Sequence, residues 1–358
     1  MSHHEPIGPQ DGSLLIVGGS TTLPLFQRFL RLSGGPAAPV VVIPTADGQH
    51  THPPARQGTI LRPFSEAGAT NVTMLHTKDR VEADSDAFAQ LIREAQGVWF
   101  PGGRHTYLVD AYRGTKTEEA LHDLLDRGGC IGGSSAGATV QGSYMVRGDT
   151  RGNMILEGDH EDGFGFLKNV VIDQHLLKRN RQHDLVDVIR KKPELLGIGI
   201  DEDTAIEVHG DSFTVVGDSY VAIYDIEQMG DRGAFYFLAP GDRFDLQTRT
   251  AERVRRQPEP LWLPHLMDAI AVSSDHMIRY AGTYGNEASR ARVTVDGEKL
   301  LLEVDEREPI DLVPVDLNLF SGEGWGERVE FEMEDERAAS VIVRDLHGIT
   351  TRYRRRAE

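Results

Sequence analysis

Apolar positions between Ser13 and about Asp225 alternate between two patterns. Short runs rich in β-branched residues have the length of buried strands: LLIVGG from Leu14, VVVIPTA from Val40, NVTMLH from Asn71, GVWF from Gly97 and CIGGS from Cys130. Between them the spacing is helical. Ser85 and Asp86 can cap a helix running through Ile92, and Thr117 followed by Ala120, Leu121, Leu124 and Leu125 gives one apolar face ending near Gly128 and Gly129. Strands alternating with amphipathic helices predict an α/β fold, a mostly parallel sheet flanked by helices. Further along, the pattern predicts a helix over residues 176–191 stopped by Pro193, the run LLGIGIDEDTAIEV, and an alternating strand pair over residues 212–225.

Periodicity is lost in a stretch rich in Arg, Glu, Gln and Pro, read as a linker over residues 248–270 between a first domain of residues 1–247 and a second of 271–358. The second reads as a smaller all-β domain: YAGTYG, ARVTVDGEKLLLEVDE, PIDLVPV, RVEFEMEDE, ASVIVRD and ITTRYRR are short alternating segments with DG and HG pairs suited to tight turns. On YAGTY and LVPVDLNLF it resembles the small lipocalin-like β-domain appended to many bacterial hydrolases, which implies an accessory role. Arg352, Arg354, Arg355 and Arg356 read as a solvated basic tail without function.

Composition narrows the chemistry. The chain has 358 residues, a length that favours one large and one smaller domain, and 39% hydrophobic residues, enough for a packed core. A formal net charge of -18 with no offsetting basic stripe argues against nucleic acid and anionic lipid as partners. The only cysteine, Cys130, permits neither an intramolecular disulfide nor a cysteine-based zinc site. MSHHEPIGPQDG lacks the apolar core of a signal peptide and no stretch has the length of a membrane span, so a cytoplasmic location is the expectation. His3, His4, His50 and His52 are too loosely spaced to read as metal ligands; neither metal nor cofactor is expected.

GGSSAGA at residues 132–138 carries the most chemical information. It follows the apolar end of a predicted strand, precedes a helix-compatible stretch, and contains G-x-S-x-G with Ser135 at its centre. In a sharp strand-to-helix turn such a serine is exposed above the sheet, and the next N–H, that of Ala136, faces a developing oxyanion. A serine nucleophile needs a base. Among the 14 histidines, His175 in VVIDQHLLKRNR follows a buried-looking strand, whose end faces the same crevice.

GGSSAGA, the GG of WFPGGRH, DQHLLKRNR and GIGIDEDTA occur in this order and at similar spacing in the cyanophycinase and dipeptidase E family of serine exopeptidases (peptidase family S51), which the chain resembles over most of residues 14–225. The resemblance implies a fold like the class I glutamine amidotransferase domain, with Ser135 as nucleophile, His175 as general base, and the N–H groups of Gly103 and Ala136 as oxyanion hole. For the acid that orients His175 it points to Asp149, with Glu157 the alternative. It implies that Asp173, Gln174, Arg179 and Arg181 handle an acidic substrate group, a β-linked aspartyl residue in the family, and that Glu202 lines the pocket. There are two departures from the family pattern. His105 stands where glutamine is common, beside the oxyanion hole, and Asp184 stands where a third arginine is expected. The expected function is a serine exopeptidase or dipeptidase acting on a peptide or isopeptide, with a homodimer left open. The rivals are an esterase or amidohydrolase with the same triad and a catalytically degenerate peptide-binding homologue.

Overall fold

The computed structural model describes residues 5–229, 233–254, 270–305, 307–322, 327–344 and 350–356. The chain divides into two compact units, Met1–Arg255 and Arg256–Glu358. Most of the expected linker lies outside the described residues, as do His3 and His4.

In the first unit the apolar runs become β1 (Ser13–Val17), β2 (Val40–Val42), β3 (Val72–Met74), β4 (Gly97–Phe100) and β5 (Cys130–Ser134). They pair in parallel in the spatial order β1-β5-β4-β2-β3. Over β1, β2, β4 and β5 both faces are buried, with the two-residue period of a strand deciding which face a side chain joins. Leu14 and Ile16 pack with Val98 and Ile131, together with the helices Asp86–Glu94 and Lys116–Asp126; Leu15 and Val17 pack with Trp99, Cys130 and the helix Leu23–Leu32. Ser85 Oγ accepts the Phe88 N–H at 3.2 Å, the cap read from the sequence.

The chain continues through β6 (Gly142–Tyr144), β7 (Leu167–Gln174), β8 (Leu196–Ile200), β9 (Thr204–His209), β10 (Ser212–Gly217), β11 (Val221–Tyr224), β12 (Tyr236–Leu238), β13 (Arg243–Asp245) and β14 (Thr250–Glu252). Among the described residues β9, β10, β13 and β14 extend the first sheet antiparallel beyond β1 to nine strands, and β12-β11-β8-β7-β6 form a second sheet of five. Within the second sheet β6, β7 and β8 run parallel, and the register sets Gln174 opposite Ile200, so these two strand ends finish side by side.

Three expectations are corrected here. The strands over residues 212–225 do not pair with each other: β10 joins the first sheet and β11 the second. The helix expected over residues 176–191 is confined to Asp184–Lys191. Asp201 Oδ1 accepts the N–H groups of Leu177 and Lys178 at 2.9 and 3.0 Å, and Asn180 has a φ of 56°, so a side chain captures the backbone donors before a helix can form. The third correction concerns the arginine run. In the second unit the described residues build a closed barrel of eight antiparallel strands, from Gly282–Gly285 to Thr350–Arg355, whose interior is filled by Tyr280, Tyr284, Leu300, Phe320, Phe331 and Val341. Arg352, Arg354 and Arg355 lie in its last strand. Arg355 donates to the carbonyls of Ala338 and Ala281 at 2.6 and 2.9 Å and lies 4.9 Å from the Tyr284 ring centroid.

No helix among the described residues is long and apolar enough to cross a membrane.

The end of β1 is the tightest point of the first unit. A Cβ on Gly18 would stand 2.2 Å from the carbonyl oxygen of Ile200 and 2.3 Å from that of Asp201, backbone atoms that cannot rotate away. Gly18→Ala is therefore expected to lower stability by about 2–3 kcal/mol, measured as a lower urea midpoint for the folded chain.

Candidate active site

Ser135 leaves β5 with φ 55° and ψ −112°, a conformation that costs a non-glycine residue about 1–3 kcal/mol and persists only where its surroundings dictate it. The dictating contacts are backbone ones. Its N–H donates to the Val17 carbonyl at 3.1 Å, and the turn that follows is so tight that a Cβ on Gly137 would lie 2.0 Å from the Phe100 carbonyl oxygen. His175 leaves β7 with the same φ of 55°, and its N–H donates to the Gly18 carbonyl at 2.7 Å. Two successive carbonyls of one strand end thus hold both residues.

The side chains meet as a result. Ser135 Oγ lies 2.9 Å from His175 Nε2, and His175 Nδ1 lies 2.6 Å from Glu202 Oε1. A carboxylate only accepts, so the imidazole proton sits on Nδ1 and Nε2 is free to accept from the serine. Burial holds the His175 pKa below the ordinary imidazole value; Glu202 pulls it up, and Arg179 and Arg181 push it down.

Asp149, expected as the orienting acid, is elsewhere engaged. Arg151 closes on its carboxylate through its backbone N–H, Nε and Nη2 at 2.8, 2.9 and 2.9 Å. Glu157, the alternative, pairs with Lys191. Glu202, expected in the substrate pocket, is the carboxylate on His175. It sits in the turn after β8, which the parallel register brings beside the end of β7.

The remaining expected residues divide sharply by exposure. Asp173, Gln174, Arg181 and His105 are all buried and bonded among themselves and to Arg147, which sequence reasoning did not single out. Arg147 Nε and Nη2 donate to the two oxygens of Asp173 at 2.7 and 2.8 Å, and Nη2 also donates to Asp184 at 2.6 Å. Asp184, the charge reversal noted in the sequence, is thereby absorbed by a guanidinium. Arg181 Nη1 donates to the Gln174 backbone and side-chain oxygens at 3.0 and 2.9 Å. His105 is fully buried, and burial above all brings its pKa down to about 4, so it is neutral at pH 7. Arg179 differs: it is exposed, and its guanidinium has no partner among the described residues. Nor do the N–H groups of Gly103 and Ala136 donate to a protein acceptor among those residues. No group of three or more His, Cys, Asp or Glu side chains among them is arranged to hold a metal ion.

A serine hydroxyl on an imidazole that is itself oriented by a carboxylate is the constellation of a serine hydrolase. Comparison with known proteins gives the same class. The sequence model of Peptidase family S51 matches residues 14–216. Cyanophycinase from Geminocystis herdmanii is 32% identical over 226 residues, covering 61% of this chain and 82% of that protein. Cyanophycinase from Trichormus variabilis is 29% identical over 262 residues, covering 66% and 87%. A crystal structure of a peptidase from an acI-B1 Actinobacterium superposes with a TM-score of 0.51 at 24% identity, over 66% of this chain and 98% of that one, a likeness of fold. The chain belongs to peptidase family S51 and is a hydrolase of the serine peptidase type.

The geometry distinguishes the two candidate acids. Glu202→Gln is expected to lower kcat by about a hundredfold or more, because an amide can stabilise the wrong imidazole tautomer, whereas Asp149→Asn leaves kcat unchanged. Since Glu202 raises the pKa of His175, its loss also moves the acid limb of the kcat/KM profile to lower pH. Steady-state kinetics from pH 4 to 9 check both.

Proposed function

We propose that this chain hydrolyses an aspartyl peptide bond, β-linked, through an acyl-enzyme on Ser135. The single observation that carries the reading is the line from Ser135 Oγ through His175 to Glu202, at 2.9 and 2.6 Å. His175 Nε2 takes the hydroxyl proton as Oγ attacks the scissile carbonyl, and the oxyanion is met by the N–H groups of Gly103 and Ala136. Collapse of this intermediate breaks the C–N bond while His175 returns the proton to the leaving amine. Water then attacks the acyl group, giving its proton to His175, and Oγ leaves with that proton restored. The Glu202 side chain holds the imidazolium in place.

Substrate class is argued from charge. Arg179, exposed and unpartnered, suits a substrate carboxylate, which a guanidinium grips bidentately. The buried side chains of Asp173, Gln174 and Arg181 support the wall behind it. The likeness to proteins named cyanophycinase favours cyanophycin or a related peptide as substrate. The half-exposed Asp184, held on Arg147, adds a negative group near that wall and favours a preference different from theirs.

Two outcomes test the proposal. Release of amino groups from β-linked aspartyl dipeptides and cyanophycin is expected with the wild type and lost in Ser135→Ala; cleavage of esters alone would select an esterase, and no labelling of Ser135 by a fluorophosphonate a degenerate homologue. Arg179→Met is expected to raise KM about tenfold or more for dipeptides with a free carboxylate, with kcat little changed.

A further inference from the structure

The peptide joining Gly103 to Arg104 is gripped from two sides. Its N–H donates to the Ala46 carbonyl at 2.7 Å, and its carbonyl accepts from Asn153 Nδ2 at 2.8 Å. Arg104 Nη2 also donates to the carbonyls of Asp149 and Thr150 at 3.1 and 2.7 Å, so the loop carrying Asn153 is stitched to this strand end at more than one point. Gly103 has a φ of 149°, and a Cβ there would stand 2.0 Å from the Ala46 carbonyl oxygen. Glycine is needed for that approach, but a glycine joint is soft, and only its anchors decide which way its peptides face.

The anchor has its own support. Arg181 only donates, so the side-chain oxygen of Gln174 faces it and the Gln174 Nε2 faces His105 Nε2, at 3.4 Å. His105 Nε2 is therefore the acceptor and Nδ1 carries the proton. That Nδ1–H is buried without a partner among the described residues, and so is Asn153 Oδ1; the Asn153 side chain acts to raise the His105 pKa, as an acceptor from that N–H would. A buried donor and a buried acceptor without partners are each costly unless they pair. Paired, they complete a relay from Arg181 through Gln174, His105 and Asn153 to the Gly103 carbonyl.

We propose that Asn153 is a positioning residue for the oxyanion hole: oriented by His105, its amide anchors the Gly103 carbonyl and so fixes the direction of the adjoining N–H. The proposal rests on the reading of Gly103 as an oxyanion donor. It also assigns the buried His105 a structural task at the site, as acceptor from Gln174 and donor to Asn153.

Steady-state kinetics on the full chain, with the fastest-cleaved aspartyl dipeptide, and the rate of Ser135 labelling by a fluorophosphonate test it. Asn153→Ala is expected to lower kcat and the labelling rate together by about ten- to hundredfold, with KM within about twofold of wild type. Asn153→Asp is isosteric, so it carries the test even where the alanine variant folds poorly. Its ionised carboxylate cannot donate to a carbonyl, so its activity relative to wild type is expected to be low at neutral pH and to recover on acidification, when the carboxyl regains a donor. A loss confined to KM, an Asn153→Ala variant equal to wild type, or an aspartate variant without relative recovery overturns the proposal. A wild type that is neither active nor labelled overturns the parent reading and this inference with it; an active, labelled wild type matched by Asn153→Ala overturns this inference alone.

Discussion

Two carbonyl groups at the end of one buried strand hold the chemistry of this protein in register. Val17 accepts the backbone N–H of Ser135 and Gly18 that of His175, while the Gly18 N–H donates to Thr204 beyond the turn that carries Glu202. Ser135, His175 and Glu202 come from the ends of β5, β7 and β8, which belong to two different sheets, and β1 is where those ends are tied to a common backbone. Side-chain rotamers then have little freedom left: with both φ values fixed at 55°, the hydroxyl and the imidazole are delivered to each other. The strain at Ser135 and His175 is sustained by these hydrogen bonds and by the apolar packing of β1 on both faces.

Behind this line the site is built from mutually satisfied charge. Arg147 neutralises Asp173 with two hydrogen bonds in a place from which water is excluded, and Asp184 shares the same guanidinium. A lone carboxylate there would be several kcal/mol unfavourable. Arg179 stays exposed, burial above all keeps His105 neutral at pH 7, and Glu202, Arg179 and Arg181 all act on His175.

Much of this was legible in the sequence because it depends on local pattern. The strands of the parallel sheet announced themselves through apolar runs, the elbow through GGSSAGA, and His175 through its place after a strand. Glu202 reads in the sequence as a pocket residue, because the loop between Ser135 and His175 offers nearer acids, whereas the structure sets its carboxylate 2.6 Å from His175 Nδ1. Its link to the base depends on pairing between β7 and β8, a non-local property. The signal available was that LLGIGI reads as a strand ending just before the acidic turn DEDT. The missing first half of the helix after His175 has the same origin: a carboxylate from Asp201, far along the chain, takes the N–H groups that a helix needs. The tail of arginines was misread because composition does not show that Tyr284 and three backbone carbonyls await Arg355.

The ionic knot at Arg147 also bears on how such a site diverges. Replacing any one of Arg147, Asp173 or Asp184 changes the charge balance of the group, and loss of Arg147 takes two hydrogen bonds from the buried Asp173 carboxylate. Their mutational effects are accordingly non-additive. Charge can be altered in this cluster at low cost only in compensated pairs, a change of sign at one position being answered at another. An arginine at position 184 beside Arg147 is unfavourable in this chain, whereas the same arginine opposite a neutral residue 147 is not.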